Sequence, residues 1–118
     1  MKSPHDFKGI FIHRDPVDMR KQINGLTGIV NDALMGDLMG PHLFVFTGKR
    51  RDVIKVIYFD KSGFAMWTKR LEQAKFFWPK KHSSNVVTLT SEQFTWLLDG
   101  YDVWKMKPFR ELHFDRVC

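Results

Sequence analysis

The chain has 118 residues, 43% of them apolar and 27% charged, with 19 Lys and Arg against 13 Asp and Glu for a net charge of +6. That length fits one domain, 1–118, burying roughly two-thirds of its unfolded surface, and is too short for two. No apolar run reaches the ~18 residues of a membrane span, MKSPHDFKG at the N-terminus has no apolar export core, and one cysteine, Cys118, allows neither an intrachain disulfide nor a cysteine-based zinc site, so a cytoplasmic setting without membrane contact is the simplest expectation.

In chain order, 10–13 (IFIH) reads as a short strand. A long helix is expected next, with Asp15 as cap, Pro16 at the first position and Asp18 in the first turn. Met19, Ile23, Leu26, Val30 and Leu34 would form its apolar face, and Gly36 would end it. Gly25 and Gly28 inside it each cost about 1 kcal/mol relative to Ala, which close packing would explain. The run 42–47 (HLFVFT) is a strand, GKRRD a turn, and 53–59 (VIKVIYF), apolar on nearly both faces, the expected central strand. Asp60 to Gly63 is a tight turn, with strands at 64–69, at 74–78 as far as Pro79, and at 86–89. A shorter second helix begins with Thr90 as cap and Gln93 completing a capping box, presents Phe94, Leu97 and Leu98, and ends at Gly100. From about residue 103 there is a tail, with a turn at Lys107-Pro108 and a short strand at 112–114. The expected class is α+β, an antiparallel meander with a long N-terminal and a shorter C-terminal helix.

The charge is uneven. Residues 1–41 carry five basic and five acidic groups, 42–82 ten and three, and 83–118 four and five. The middle third thus holds the whole excess, and nine of the 17 aromatics, among them Phe76, Phe77 and Trp78. Cations interleaved with aromatics suit phosphates and stacked bases. The competing reading is a solvated sheet face backed by core aromatics.

Catalytic patterns are scarce. The five histidines are too scattered for a local zinc pair, and Gly48-Lys49 lacks the spacing of a phosphate-binding loop. Asp15, Asp18, Asp99 and Asp102 read as helix-end and turn residues before they read as acids of a metal site. No cofactor motif is present.

Three blocks fall in order with family-like gaps: PVDMRKQINGL (16–26), LFVFTGKRRDVIKVIYFDKSGFAMWTKRLEQAKFFWP (43–79) and LTSEQFTWLLDGYD (89–102). Together they resemble the small TnpB-type accessory proteins of the insertion-sequence sixty-six family, which are distinct from the RNA-guided nucleases sharing that name. Ser91 departs from the pattern, where many members carry proline. The resemblance implies a bacterial mobile element and a role in transposition beside a separate, larger transposase and another small accessory protein. It offers no catalytic residues to carry over.

Three functional readings follow. The first is a non-catalytic factor that holds DNA, as element ends or target, through Arg20, Lys21, Lys49, Arg50, Arg51, Lys55, Lys69, Arg70, Lys75, Lys80 and Lys81, with Trp67 and Trp78 as stacking faces. The second is an interaction module assembling the transposase complex, anchored by Trp96, with Trp104 also outside the basic segment. The third is a metal-dependent nuclease resting on Asp18 or Asp60.

Overall fold

A computed structural model describes residues 3–33, 35–80 and 84–105. Among these residues, five strands form one sheet: β1 (Gly9–His13), β2 (His42–Thr47), β3 (Val53–Asp60), β4 (Gly63–Arg70) and β5 (Val86–Leu89). Among the same residues, two short helices accompany them, α1 (Ile23–Asp32) after β1 and α2 (Ser91–Leu98) after β5, with a 3-10 turn at Pro4–Asp6.

The sheet order is β4-β3-β2-β1-β5, so β2, not the strand at 53–59, is central. Only β2, β3 and β4 form the expected antiparallel meander. The connection through α1 returns the chain parallel to its start, with Ile10 opposite Leu43 and Ile12 opposite Val45. β5 then adds antiparallel to the other side of β1, Ile10 opposite Leu89. The sheet is therefore mixed, and the simple meander is corrected to a β1–α1–β2 unit extended on both sides. Mixed pairing is what a helical crossover produces, because a helix between strands brings the second back in the same direction.

Strand alternation builds two cores. Ile10, Ile12, Leu43, Val45, Ile54, Val56 and Tyr58 face one side, where Phe94 and Leu97 of α2 pack with Phe76 and Trp78. Phe44, Phe46 and Ile57 face the other, against Leu26 and Val30 of α1. Each fully buried side chain of this size contributes roughly 1.5–3 kcal/mol.

The expected long N-terminal helix is absent. α1 spans 10 residues, and 14–22 run before it as an extended and turning segment. Val17 N–H donates to Thr47 O at 2.9 Å, pinning that segment to the end of β2. Asp18 turns the chain, its carboxylate accepting from Arg20 N–H at 2.9 Å. Lys55, 7% exposed on β3, then donates its ammonium to Met19 O at 2.6 Å and Lys21 O at 2.9 Å. In a continuous helix those carbonyls would accept from the amides four residues on. Met19 belongs instead to a local contact over Gly48, where a Cβ would meet Met19 Cγ at 2.5 Å.

Residues 74–78 are not a strand either. They cross the end of the sheet, tied by Leu71 N–H to Asp52 O at 2.8 Å and Phe76 N–H to Arg51 O at 2.7 Å. Helix α2 is as expected: Thr90 caps it, both halves of the capping box form, and Gly100 follows at φ +98°. The turn at Lys107-Pro108 and the strand at 112–114 lie outside the described residues.

Candidate nucleic-acid interface

The β2–β3 turn is the centre of the basic region. It closes through Arg51 N–H to Gly48 O at 3.1 Å and leaves Lys49, Arg50 and Arg51 exposed. Strand pairing sets Val53 opposite Arg70, which brings the exposed Arg70 to the same end of the sheet. The two bonds that hold 71–76 against Asp52 and Arg51 carry the exposed Lys75 there as well. Five cations from 49–75 thus share one end of the molecule, four of them (Lys49, Arg50, Arg51 and Lys75) making no ion pair among the described residues. Arg70 makes only a long one, 3.9 Å to the exposed Glu72.

This end is indented. A cleft of about 600 Å³ lies between Pro16–Met19 and the turn, reaching Asp52, Val53 and Arg70. A shallower depression between Arg50, Asp52 and 71–75 adjoins it. Beyond, sharing Leu71, Ala74 and Lys75, a groove of about 750 Å³ runs between 74–80 and residues 99–105.

The other expected cations are placed differently. Arg20 is spent on Asp18, Nη2 to Oδ2 at 2.7 Å, and Lys21 is exposed at the start of α1. The bonds from Arg20 hold the Asp18 carboxyl well below the usual carboxylate range. Lys55 points inward to the two carbonyls already described. Lys69 donates to Leu98 O at 2.9 Å, where a cation meets the unsatisfied carbonyl end of α2. Lys80 is exposed in the groove, and Lys81 lies outside the described residues.

The aromatics also divide. Trp67 is half-buried against the α2-side core. Trp78 is 5% exposed, its indole N–H donating to Arg14 O at 3.0 Å, so it presents no face for stacking. Trp96 is 37% exposed on α2. The ring offered beside the cations is Phe77, 46% exposed, with Trp104 Nε1 donating to its carbonyl at 2.9 Å. Its signal was the alternation in AKFFW, which turns Phe76 and Trp78 inward and Phe77 outward even without a sheet partner. Lys105, also in the groove, comes from the acidic third of the sequence and carried no such signal.

The acids of the nuclease reading do not meet. Asp18 lines the cleft near the start of β3, and Asp60 ends that strand. Among the described residues no three His, Cys, Asp or Glu side chains are grouped to hold a metal ion. No helix among them is long and apolar enough to cross a membrane.

Comparison with known proteins places the sequence. Residues 8–108 match the family model described as IS66 Orf2 like protein. The chain is 37% identical over 98 residues to the uncharacterized protein y4jC of Sinorhizobium fredii, covering 83% of both chains. It is 31% identical over 96 residues to the uncharacterized protein y4hO of the same organism, covering 81% of this chain and 82% of that one. No solved structure matches.

Proposed function

Because this chain belongs to the IS66 Orf2-like family of insertion-sequence accessory proteins, we propose that it serves transposition by binding DNA through the basic end of its sheet. One observation carries this reading: Lys49, Arg50, Arg51, Arg70 and Lys75 gather at one end beside Asp52, and among the described residues only Arg70 of the five is in an ion pair, the long one to Glu72. Burying phosphates against such a cluster releases counterions, which favours association and makes it salt-sensitive. The reaction chemistry belongs, in this reading, to the element's larger transposase.

The test is a binding titration against salt. Five phosphate contacts give a slope near −4.5 in log K against log salt, so affinity falls on the order of 500-fold between about 50 and 200 mM. Reversing Arg50 and Arg51 together removes most of the binding. A flat salt dependence, or full binding by the double reversal, rejects the site.

A second contact is supported by Trp96 and by Tyr101, 59% exposed, whose amide donates to Trp96 O at 3.0 Å. Two exposed aromatics on neighbouring backbone suit a protein partner in the transposition machinery. Loss of high-salt co-purification with the transposase in the Trp96→Ala, Tyr101→Ala double variant is the expected result.

A further inference from the structure

We propose that the groove between 74–80 and the turn after α2 holds an unpaired DNA strand, with one base stacked on Phe77. This rests on the DNA-binding reading above and narrows it from DNA in general to single-stranded DNA.

The ring itself is the first argument. Phe76 and Trp78 are buried and Phe77, between them, is 46% exposed. It is not a loose side chain on a free loop. The bond from Trp104 Nε1 fixes its backbone at 2.9 Å, and the bond from Phe76 N–H to Arg51 O fixes the residue before it at 2.7 Å. The groove is therefore pre-organised around an outward aromatic face, which lowers the ordering cost of binding.

Charge decides what kind of molecule fits. Arg51, Lys75, Lys80 and Lys105 border the groove, against Asp99 and Asp102. Asp102 is already engaged, accepting from Trp104 N–H at 3.2 Å and lying 4.0 Å from Lys105 Nζ. Arg51, Lys75 and Lys80 make no ion pair among the described residues. An aromatic face rimmed by unpaired cations matches a polyanion that carries flat rings, whereas an apolar peptide would leave those cations unused. Cations that track a backbone beside a stacking ring are the general solution for single strands.

Shape separates single from double strand. A duplex keeps its bases stacked and offers protein its phosphates and groove edges. A recess of about 750 Å³ with a ring in its wall gains nothing from that exterior but admits a base that has left the stack. The recess is also continuous with the basic end. Lys75 and Leu71 belong both to it and to the depression beside Arg50, so a strand leaving the β2–β3 turn enters it directly.

The experiment uses the full chain with a labelled thymidine oligonucleotide and, separately, a blunt duplex of equal length, read by fluorescence anisotropy. Phe77→Ala should weaken the single strand at least about fivefold, as expected from loss of one stacked base, and leave the duplex unchanged. Phe77→Trp should restore single-strand affinity. Lys80→Glu, at an exposed rim position, should weaken the single strand even if Phe77→Ala proves unstable. Unchanged single-strand binding in both variants overturns the proposal, as does an equal loss for both substrates in Phe77→Ala. In those cases the wider DNA reading survives. Binding of neither substrate by the wild-type chain at low salt overturns both, and transposase capture lost in Phe77→Ala would then assign the groove to protein.

Discussion

Arg51 sits in the left-handed backbone region at φ +59°, a conformation that costs a residue with a Cβ roughly 1–2 kcal/mol and a glycine almost nothing. A guanidinium placed there trades stability for position. Arg51→Gly is therefore expected to raise stability by about 1 kcal/mol, or about 4 °C in Tm for a domain of this size, while weakening DNA binding. Thermal unfolding and a binding titration on the same variant check both signs. Arg20 acts differently. Its guanidinium meets Asp18 at 2.7 Å and depresses that carboxyl, so Asp18 stays ionised after ordinary carboxylates have protonated. The sign is that of a lowered acid: the pair's contribution is complete above the unfolded carboxylate value and is lost only as pH falls through the depressed one. Arg20→Ala should move the Asp18 titration, followed by carboxyl NMR shifts, up toward the ordinary carboxylate range, with the backbone N–H of residue 20 still holding it below that range. Counting cations along the sequence places Arg20, Lys55 and Lys49 in one class. What separates them is whether a carboxylate, a carbonyl or water lies at the tip, and only the fold decides that.

Among the elements, α2 was legible residue by residue and α1 was not. The capping box at Thr90 and Gln93 is a local device, complete within four residues, so sequence alone carries it. The start of α1 depends on Lys55, more than thirty residues away, taking two carbonyls that local signals assign to the helix. Asp15, Pro16 and Asp18 are good helix-start residues, but Asp18 closes a turn and Pro16 and Met19 line the cleft. Lys55→Met keeps the apolar stem and removes the ammonium. It is expected to cost about 2–3 kcal/mol, since two carbonyls lose a charged donor, read as a lower denaturant midpoint. Amide exchange should speed up across 17–26. A Lys55 that contacts phosphate would instead show its loss in the salt slope, which is expected to stay unchanged. The segment 74–78 failed as a strand for a related reason: its inward residues fill the core as a strand's would, but its Phe76 N–H donates to Arg51 O at the β2–β3 turn and its Phe77 carbonyl accepts from Trp104 Nε1.

At the scale of the whole molecule, what matters is which end of the sheet a cation occupies. Lys61 belongs to the β3–β4 turn and Arg50 to the β2–β3 turn, at opposite ends of β3. Eight residues of strand separate them by roughly 24 Å, more than two Debye lengths at physiological salt, where one is about 8 Å. The sequence revealed that the middle third is basic. It did not reveal that its positive groups would sort by end, because that follows from the antiparallel register of β3 and β4, Val53 to Arg70 and Asp60 to Gly63. Arg50→Glu and Lys61→Glu therefore make a matched pair. Each takes the net charge from +6 down by two, so a purely global attraction predicts equal losses of DNA affinity. Contact at the basic end predicts otherwise: Arg50→Glu lowers the salt slope by about one contact, near 0.9 units, and Lys61→Glu leaves it unchanged. Equal slopes for the two variants would mean that the protein's total charge, and not this end of the sheet, attracts the polyanion.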